Sequence, residues 1–312
     1  MMYAYVRALQ GRYQEALAIF DGFIPKADEP TGLMAYHFAL AGKTFVLLHL
    51  GRFGEAMRIV RAGKEMAEKN GDNPWIFHFR EAWLRTLALD YSGARRLGEL
   101  VKRAKGEYLT GQPQTIARIA GGYAELGQGN YEKAVACFRE VGDPALTPKF
   151  FLHWLWRMTA ERGLSDAWLE AGDLANARSA ADAFFNSALS TGVPYLQAHA
   201  WEMMSRIAIA ERDWSAAREY VGRALGVLAD VQIPVVAWRA EATAWDLCSH
   251  LKDDDAAETH RACAEAHILG MAHSFAPDEP LRRSFLDAPP VRRILGSRKP
   301  KAGGSFPRAT LD

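Results

Sequence analysis

Apolar and polar positions along this chain are ordered on two scales. Within a stretch they follow helical spacing; between stretches they are cut at near-constant intervals by the same short turn. The apolar run from Phe45 to Leu50 ends at Gly51-Arg52, and a new stretch opens at Phe53-Gly54-Glu55-Ala56. Gly11-Arg12-Tyr13-Gln14-Glu15-Ala16 does the same one interval earlier. An anchor followed three positions later by Ala recurs as Tyr13/Ala16, Phe53/Ala56, Tyr91/Ala94, Tyr131/Ala134, Leu174/Ala177, Trp214/Ala217 and, in degenerate form, Asp254/Ala257. The anchors stand 40, 38, 40, 43, 40 and 40 residues apart. A single such pair carries no information, but seven in register describe an array of one structural unit.

Other columns keep the same ruler. Two positions before the anchor stands Gly11, Gly51, Gly129 or Gly172, a residue free to take the left-handed conformation that ends a helix. Nine before it the residue is small in six copies (Ala4, Thr44, Ala82, Gly122, Ser165 and Ser205), with Trp245 the exception. Seven after it come Phe20, Val60, Phe138, Ala181 and Val221. These columns predict antiparallel helix pairs joined by a tight turn, small residues at the crossing letting the helices approach and the anchor filling the wedge. Asn70-Gly71-Asp72-Asn73-Pro74, Gly111 to Pro113, Gly142 to Pro148, Gly192 to Pro194 and Pro234 separate the pairs. The second helix of the fourth pair is cut off at Gly142-Asp143-Pro144, and the first helix of the fifth is expected from about Pro148 to Ala171.

The order small residue, Gly, aromatic, Ala, large apolar resembles the tetratricopeptide repeat, and the resemblance covers the chain to about residue 275. The usual repeat has about 34 residues; the longer period here is more similar to repeats in the sensor domains of bacterial signal-transducing ATPases. The resemblance implies an all-α, right-handed α-α superhelix of about seven helix pairs over residues 1–275. Its concave groove is expected to bind a protein or peptide segment or, alternatively, to receive a small-molecule inducer. Residues 276–295 carry Pro277, Pro280, Pro289 and Pro290 around one short helix, Leu281 to Leu286, expected to cap the last pair. Residues 296–312, rich in Gly, Pro, Ser, Arg and Lys, are expected to be a disordered tail. Only Tyr3 to Gln10 precede the first turn, without a polar capping repeat. The chain is therefore expected to be either the C-terminal part of a longer polypeptide, with an ATPase or DNA-binding domain covalently upstream or as a neighbour, or a cut-down descendant of one.

If the resemblance holds, positions 15, 12, 8, 5 and 4 before each anchor line the groove. In repeats two to four these include Phe38, Phe45, His49, Phe79, Trp83 and Tyr123; in repeats five to seven they include Arg162, Asp166, Glu202 and Arg206. Such a groove is apolar in its N-terminal half and charged in its C-terminal half, which suits a segment with one apolar and one mixed-charge end. The sequence leaves open that the apolar half packs inside a tightly wound superhelix. It also leaves two readings of the most aromatic stretch, Phe150 to Trp156, in which Phe150 and Trp154 share a helical face. Either it is core beside the shortened helix, or it is an exposed ridge for association.

Composition narrows the function classes. With 49% apolar and 24% charged residues and a net charge of +1, the chain has neither a disordered nor a membrane composition. That charge makes no global case for nucleic acid or an anionic membrane. No apolar run approaches the roughly 20 residues that span a bilayer. Cys137, Cys248 and Cys263 are too scattered for a disulfide framework, which fits a reducing, cytoplasmic setting. Gly42-Lys43-Thr44 resembles the end of a phosphate-binding loop, but His37 stands where that loop needs Gly and no strand precedes it. His260, Cys263 and His267 share one helix face and have soft-ligand chemistry, yet a fourth ligand would have to come from Cys248 or His250. No Ser/His/Asp order can be assembled. The sequence therefore assigns no catalytic residue, cofactor or metal, and the expected function is a non-catalytic interaction or regulatory sensor scaffold.

Overall fold

A computed structural model of the chain describes residues 1–23, 33–71, 73–103, 111–143 and 152–297. Among these residues every regular element is a helix. Fourteen form the seven expected antiparallel pairs: α1 (Met2–Leu9) with α2 (Tyr13–Phe23), α3 (Leu33–His49) with α4 (Phe53–Lys69), α5 (Trp75–Leu87) with α6 (Tyr91–Arg103), α7 (Gln112–Gly127) with α8 (Tyr131–Gly142), α9 (His153–Glu170) with α10 (Leu174–Thr191), α11 (Pro194–Ala210) with α12 (Trp214–Asp230), and α13 (Pro234–His250) with α14 (Asp254–His273). Each helix packs on its sequence neighbours, and each first helix also packs on the first helix of the next pair.

All seven turns share one backbone conformation. The residue two before each anchor has φ between 59° and 79°, whether it is Gly11, Gly51, Gly129 or Gly172, or instead Leu89, Arg212 or Lys252. A non-glycine residue in this region costs about 1–2 kcal/mol, so the packing around the turn imposes the geometry. The residue directly before the anchor explains how three turns do without glycine. Asp90, Asp213 and Asp253 each accept a hydrogen bond from the backbone N–H three residues on, and Asp173 does likewise. They cap the second helix of their pair.

Small residues at the crossings act as expected. Ser165 and Ser205 each donate a hydrogen bond to the carbonyl of the anchor-following alanine, Ala177 or Ala217, at 3.1 and 2.9 Å. Phe138 of α8 fills the seam between α7 and α9, with its ring against both Gly122 and Gly163.

The array then closes on itself. The turn between α3 and α4 meets the far end of the chain: Gly51 lies against Met271 and Pro234, and Gly11, one pair earlier, against Val231 and Pro194. Phe53 packs on Phe275 and Phe285, with ring centroids 5.6 and 6.1 Å away. The Gly54 N–H donates to Ser274 Oγ at 3.2 Å, and that hydroxyl donates to the Met271 carbonyl at 2.7 Å. No side chain of α4's own cap satisfies its first N–H groups, so the chain's other end supplies a cap in trans. Arg61 and Glu279 add an ion pair at 2.8 Å.

Beyond α14 the structure has two short helices where the sequence suggests one: α15 (Pro280–Asp287) and α16 (Pro289–Gly296). Pro289-Pro290 opens a second helix instead of ending the pattern, because proline is tolerated in the first turn, where N–H groups lack helical partners. Leu281, Phe285, Val291 and Ile294 bury their side chains. Helix α9 begins at His153; Phe150 and the start expected near Pro148 lie outside the described residues, as does the tail from residue 298 on. Trp154 is half-buried against the core.

Candidate functional site

The concave face is built from the first helices of the pairs, and one turn of the superhelix decides what it exposes. The winding carries the C-terminal end of α3 and the middle of α5 onto the N-terminal ends of α9, α11 and α13. His49 meets Tyr195 at 4.5 Å, and Phe79 and Trp83 meet Trp156 at 5.1 and 5.2 Å. Phe45, His49, Phe79, Trp83 and Tyr123 are consequently interior. Phe38, two turns before Phe45 on α3, remains 38% exposed. In this conformation the apolar half of the concave face is core.

Farther along α9, α11 and α13, Asp166 and Arg206 are half-buried and Glu202 and Thr243 are buried. They carry an ion-pair ladder. Arg206 pairs with Asp166, reaches Glu170 at 3.3 Å and lies 4.0 Å from Glu202. Glu202 accepts a hydrogen bond from Thr243 on α13 at 2.9 Å. Asp246 takes both guanidinium nitrogens of Arg293 from α16, at 2.7 and 2.9 Å. The sequence ruler had placed Arg162, Asp166, Glu202 and Arg206 on one face, and the structure brings these four together; it adds Thr243 and Arg293.

Deeper in, Arg162 donates to Tyr123 Oη at 3.0 Å and to the His199 ring at 2.8 Å, with Asp166 4.0 Å from its Nε. Burial pulls the guanidinium pKa down, but Tyr123, Asp166 and Glu202 outweigh it and the group is held above its usual range. The same cation works against its neighbour. Burial first, then Arg162, Arg239 and His49, push the His199 pKa well below 6.5. Burial likewise lowers His49 to about 4, its Nδ1 lying 2.8 Å from the Phe45 carbonyl.

These two histidines set a pH dependence. Both fold neutral, so below pH 6.5 the unfolded chain binds more protons than the folded one. Stability is complete above that value and is lost as pH falls toward about 4, where His49 protonates in the folded chain. We expect the melting temperature to drop between about pH 7 and pH 4.5, and to drop less in His49→Leu. Parallel curves for the two proteins would contradict the assignment.

Two cavities adjoin Arg162, of about 30 and 20 Å³. Both are lined by Trp83, Leu87, Arg162, His199 and Val235. The other chemical candidates resolve into packing. Gly42-Lys43-Thr44 lies inside α3, with the Thr44 hydroxyl on the Leu40 carbonyl and Lys43 paired with Asp21. His260 binds Glu241 at 2.6 Å, and among the described residues no group of His, Cys, Asp and Glu is arranged to hold a metal ion. No described helix is long and apolar enough to cross a membrane.

No protein-family model matches the sequence, and no curated protein matches it either. Solved structures do resemble the fold. The Cut9–Hcn1 hetero-tetramer of the APC/C is similar with a TM-score of 0.57 and 14% identity over 94% of this chain and 54% of that one. The apo form of RapI has a TM-score of 0.45 and 8% identity, over 94% of this chain and 82% of that one. A monomeric mutant of IFIT1 with Gppp-AAAA has 0.40 and 13%, over 95% and 66%. This chain thus spans about half the length of the Cut9 chain. Together with the helix pairing, the first likeness shows a tetratricopeptide-like α-α superhelix.

Proposed function

We propose that the chain is a protein-interaction module without chemistry of its own, and that its partner docks on the mixed-charge part of the concave face. The supporting observation is the contact of α3 and α5 with α9 and α11. It fills the apolar half with the chain's own side chains and leaves Asp166, Glu170, Arg206, Asp246 and Arg293 along successive layers. Energies favour the same place. A partner entering the apolar half would have to displace Trp156 from Phe79 and Trp83, and loss of a large buried aromatic side chain from a core costs about 3–5 kcal/mol. Along the ladder it would exchange ion pairs such as Asp246–Arg293, whose side chains are 35% and 51% exposed. Such exposed pairs contribute about 0–1 kcal/mol each. The matching partner is a segment of alternating charge, steered by its field and sensitive to salt.

The test is a double charge reversal, Glu170→Arg with Asp246→Arg, in the full chain. We expect its melt to stay within a few degrees of the parent, since both residues lie at exposed ion pairs. We expect it to lose the partner that the parent captures at low salt, and the parent to release that partner as salt is raised to about 0.5 M. Capture retained by the double variant would sink the proposed surface.

A further inference from the structure

The far end of the chain covers the turn of pair two, and the manner of that covering has a counterpart left open at pair six. At pair two the anchor Phe53 receives the rings of Phe275 and Phe285. Gly54, the residue after that anchor, gives its N–H to Ser274. Both rings come from a Ser-Phe dipeptide, Ser274-Phe275 and Ser284-Phe285. The sequence contains this dipeptide once more, at Ser305-Phe306.

At pair six the corresponding positions border an open cleft of about 450 Å³, lined by Trp214, Ser215, Arg218, Glu219 and Leu251. The anchor Trp214 is only half-buried there and stacks against His250, with ring centroids 5.5 Å apart. Ser215 stands where pair two has Gly54. Its side chain keeps a visiting backbone off the helix, so an aromatic ring has to reach in from the rim. A cleft of this size has room for one. Leu251 and the indole give the ring apolar and aromatic surface to rest on.

We infer that the cleft beside Trp214 is a docking site for this chain's own C-terminal segment, with the Phe306 ring seated on Trp214 and Leu251. The distances allow it. Arg293 of α16 holds Asp246 of α13 at 2.7 Å, and Leu251 follows Asp246 by five residues, about 7.5 Å along the helix. Nine residues lead from Ser297 to Phe306, enough for about 30 Å of extended chain. Charge favours the same place. Residues 298–312 carry Arg298, Lys299, Lys301 and Arg308 against Asp312. The two turns flanking the cleft carry Asp213, Asp253, Asp254 and Asp255 against Arg212 and Lys252, and Arg218 and Glu219 within it offset each other. Tethered at α16, the segment docks intramolecularly, so a modest contact suffices. The inference stands independently of the interaction surface on the concave face.

The experiment replaces Phe306 in the full chain by the photoreactive analogue p-benzoylphenylalanine. The protein is mixed with isotope-labelled chain, irradiated, and its crosslinks are mapped by mass spectrometry. We expect crosslinks within single chains, from position 306 to residues 214–219 or to Leu251. Ser215→Trp fills the cleft from an exposed position; it should fold like the parent and lose these crosslinks. Backbone hydrogen exchange reads the same contact without the analogue. Phe306→Ala should speed exchange in the first turn of α12 and at the turn between α13 and α14 while leaving α3 and α4 unchanged. Phe306→Leu should fall between Phe306→Ala and the parent. The site is overturned if crosslinks are absent, fall elsewhere, join two chains or survive Ser215→Trp, or if Phe306→Ala exchanges like the parent.

Discussion

Gly54→Val should leave the helices formed and the superhelix open. A Cβ at this position falls 1.9 Å from the Ser274 carbonyl oxygen, 2.7 Å from the carbonyl carbon and 3.1 Å from Phe275 Cα. All three are backbone atoms, so no side chain can swing aside. The start of α4 must part from the end of α14. Parting removes the bond from Gly54 N–H to Ser274 and uncovers Phe53, Phe275 and Phe285, all buried in the closed chain. Exposing one such ring alone forfeits about 1.5–3 kcal/mol, so the total loss should exceed ~3 kcal/mol. Helical circular dichroism should be preserved and the radius of gyration in solution scattering should rise. Amide protection should fall in α3 and α4 while α11 to α13 keep theirs. An unchanged radius of gyration would count against the closure.

The second large effect belongs to Phe138→Ala. This ring is 1% exposed and sits against two glycines from different helices, where added Cβ atoms would fall 2.6 Å and 2.5 Å from it. Gly122 and Gly163 are small because Phe138 is large. With no side chains there to relax inward, the cavity left by alanine stays open, and the cost should lie near the upper part of the usual ~3–5 kcal/mol. Chemical denaturation should show it as a lower midpoint, with loss of protection centred on α7 to α9. Adding Gly122→Ala to Phe138→Ala should recover part of the loss, the opposite of what two independent lesions would give.

Much of this was readable in the sequence because it is local and repeated. The turn column announced itself where it holds glycine. At Leu89, Arg212 and Lys252 the same left-handed backbone carries no glycine, and only the aspartate that follows each of them marks the turn. The ruler also placed Phe79 and Trp83, like Arg162 and Arg206, on the inner side of their helices. It gave no measure of how far the superhelix winds, and so could not separate groove from core. That outcome rests on contacts far apart in sequence, from Trp83 with Trp156 and His49 with Tyr195 to Gly54 with Ser274. One trace of them was present. The column after the anchor reads Gln14, Gly54, Ser92, Glu132, Ala175, Ser215 and Asp255, and the one residue without a side chain is the one against a distant backbone.

The closure also fixes how many repeats can lie between the turns that it brings together. In an open solenoid each unit touches only its neighbours, so units can be gained or lost by duplication with little effect on the others. Here the second turn must arrive opposite α13 and α14 for Gly51 to meet Pro234 and Met271 and for Ser274 to cap α4. Removing or inserting one pair between them would rotate the two ends past each other and leave both faces bare. The number of pairs between the contacting turns is therefore a geometric count, set by one circuit of the superhelix. Between those turns, gain or loss of a repeat is blocked in a way that the repeating sequence conceals.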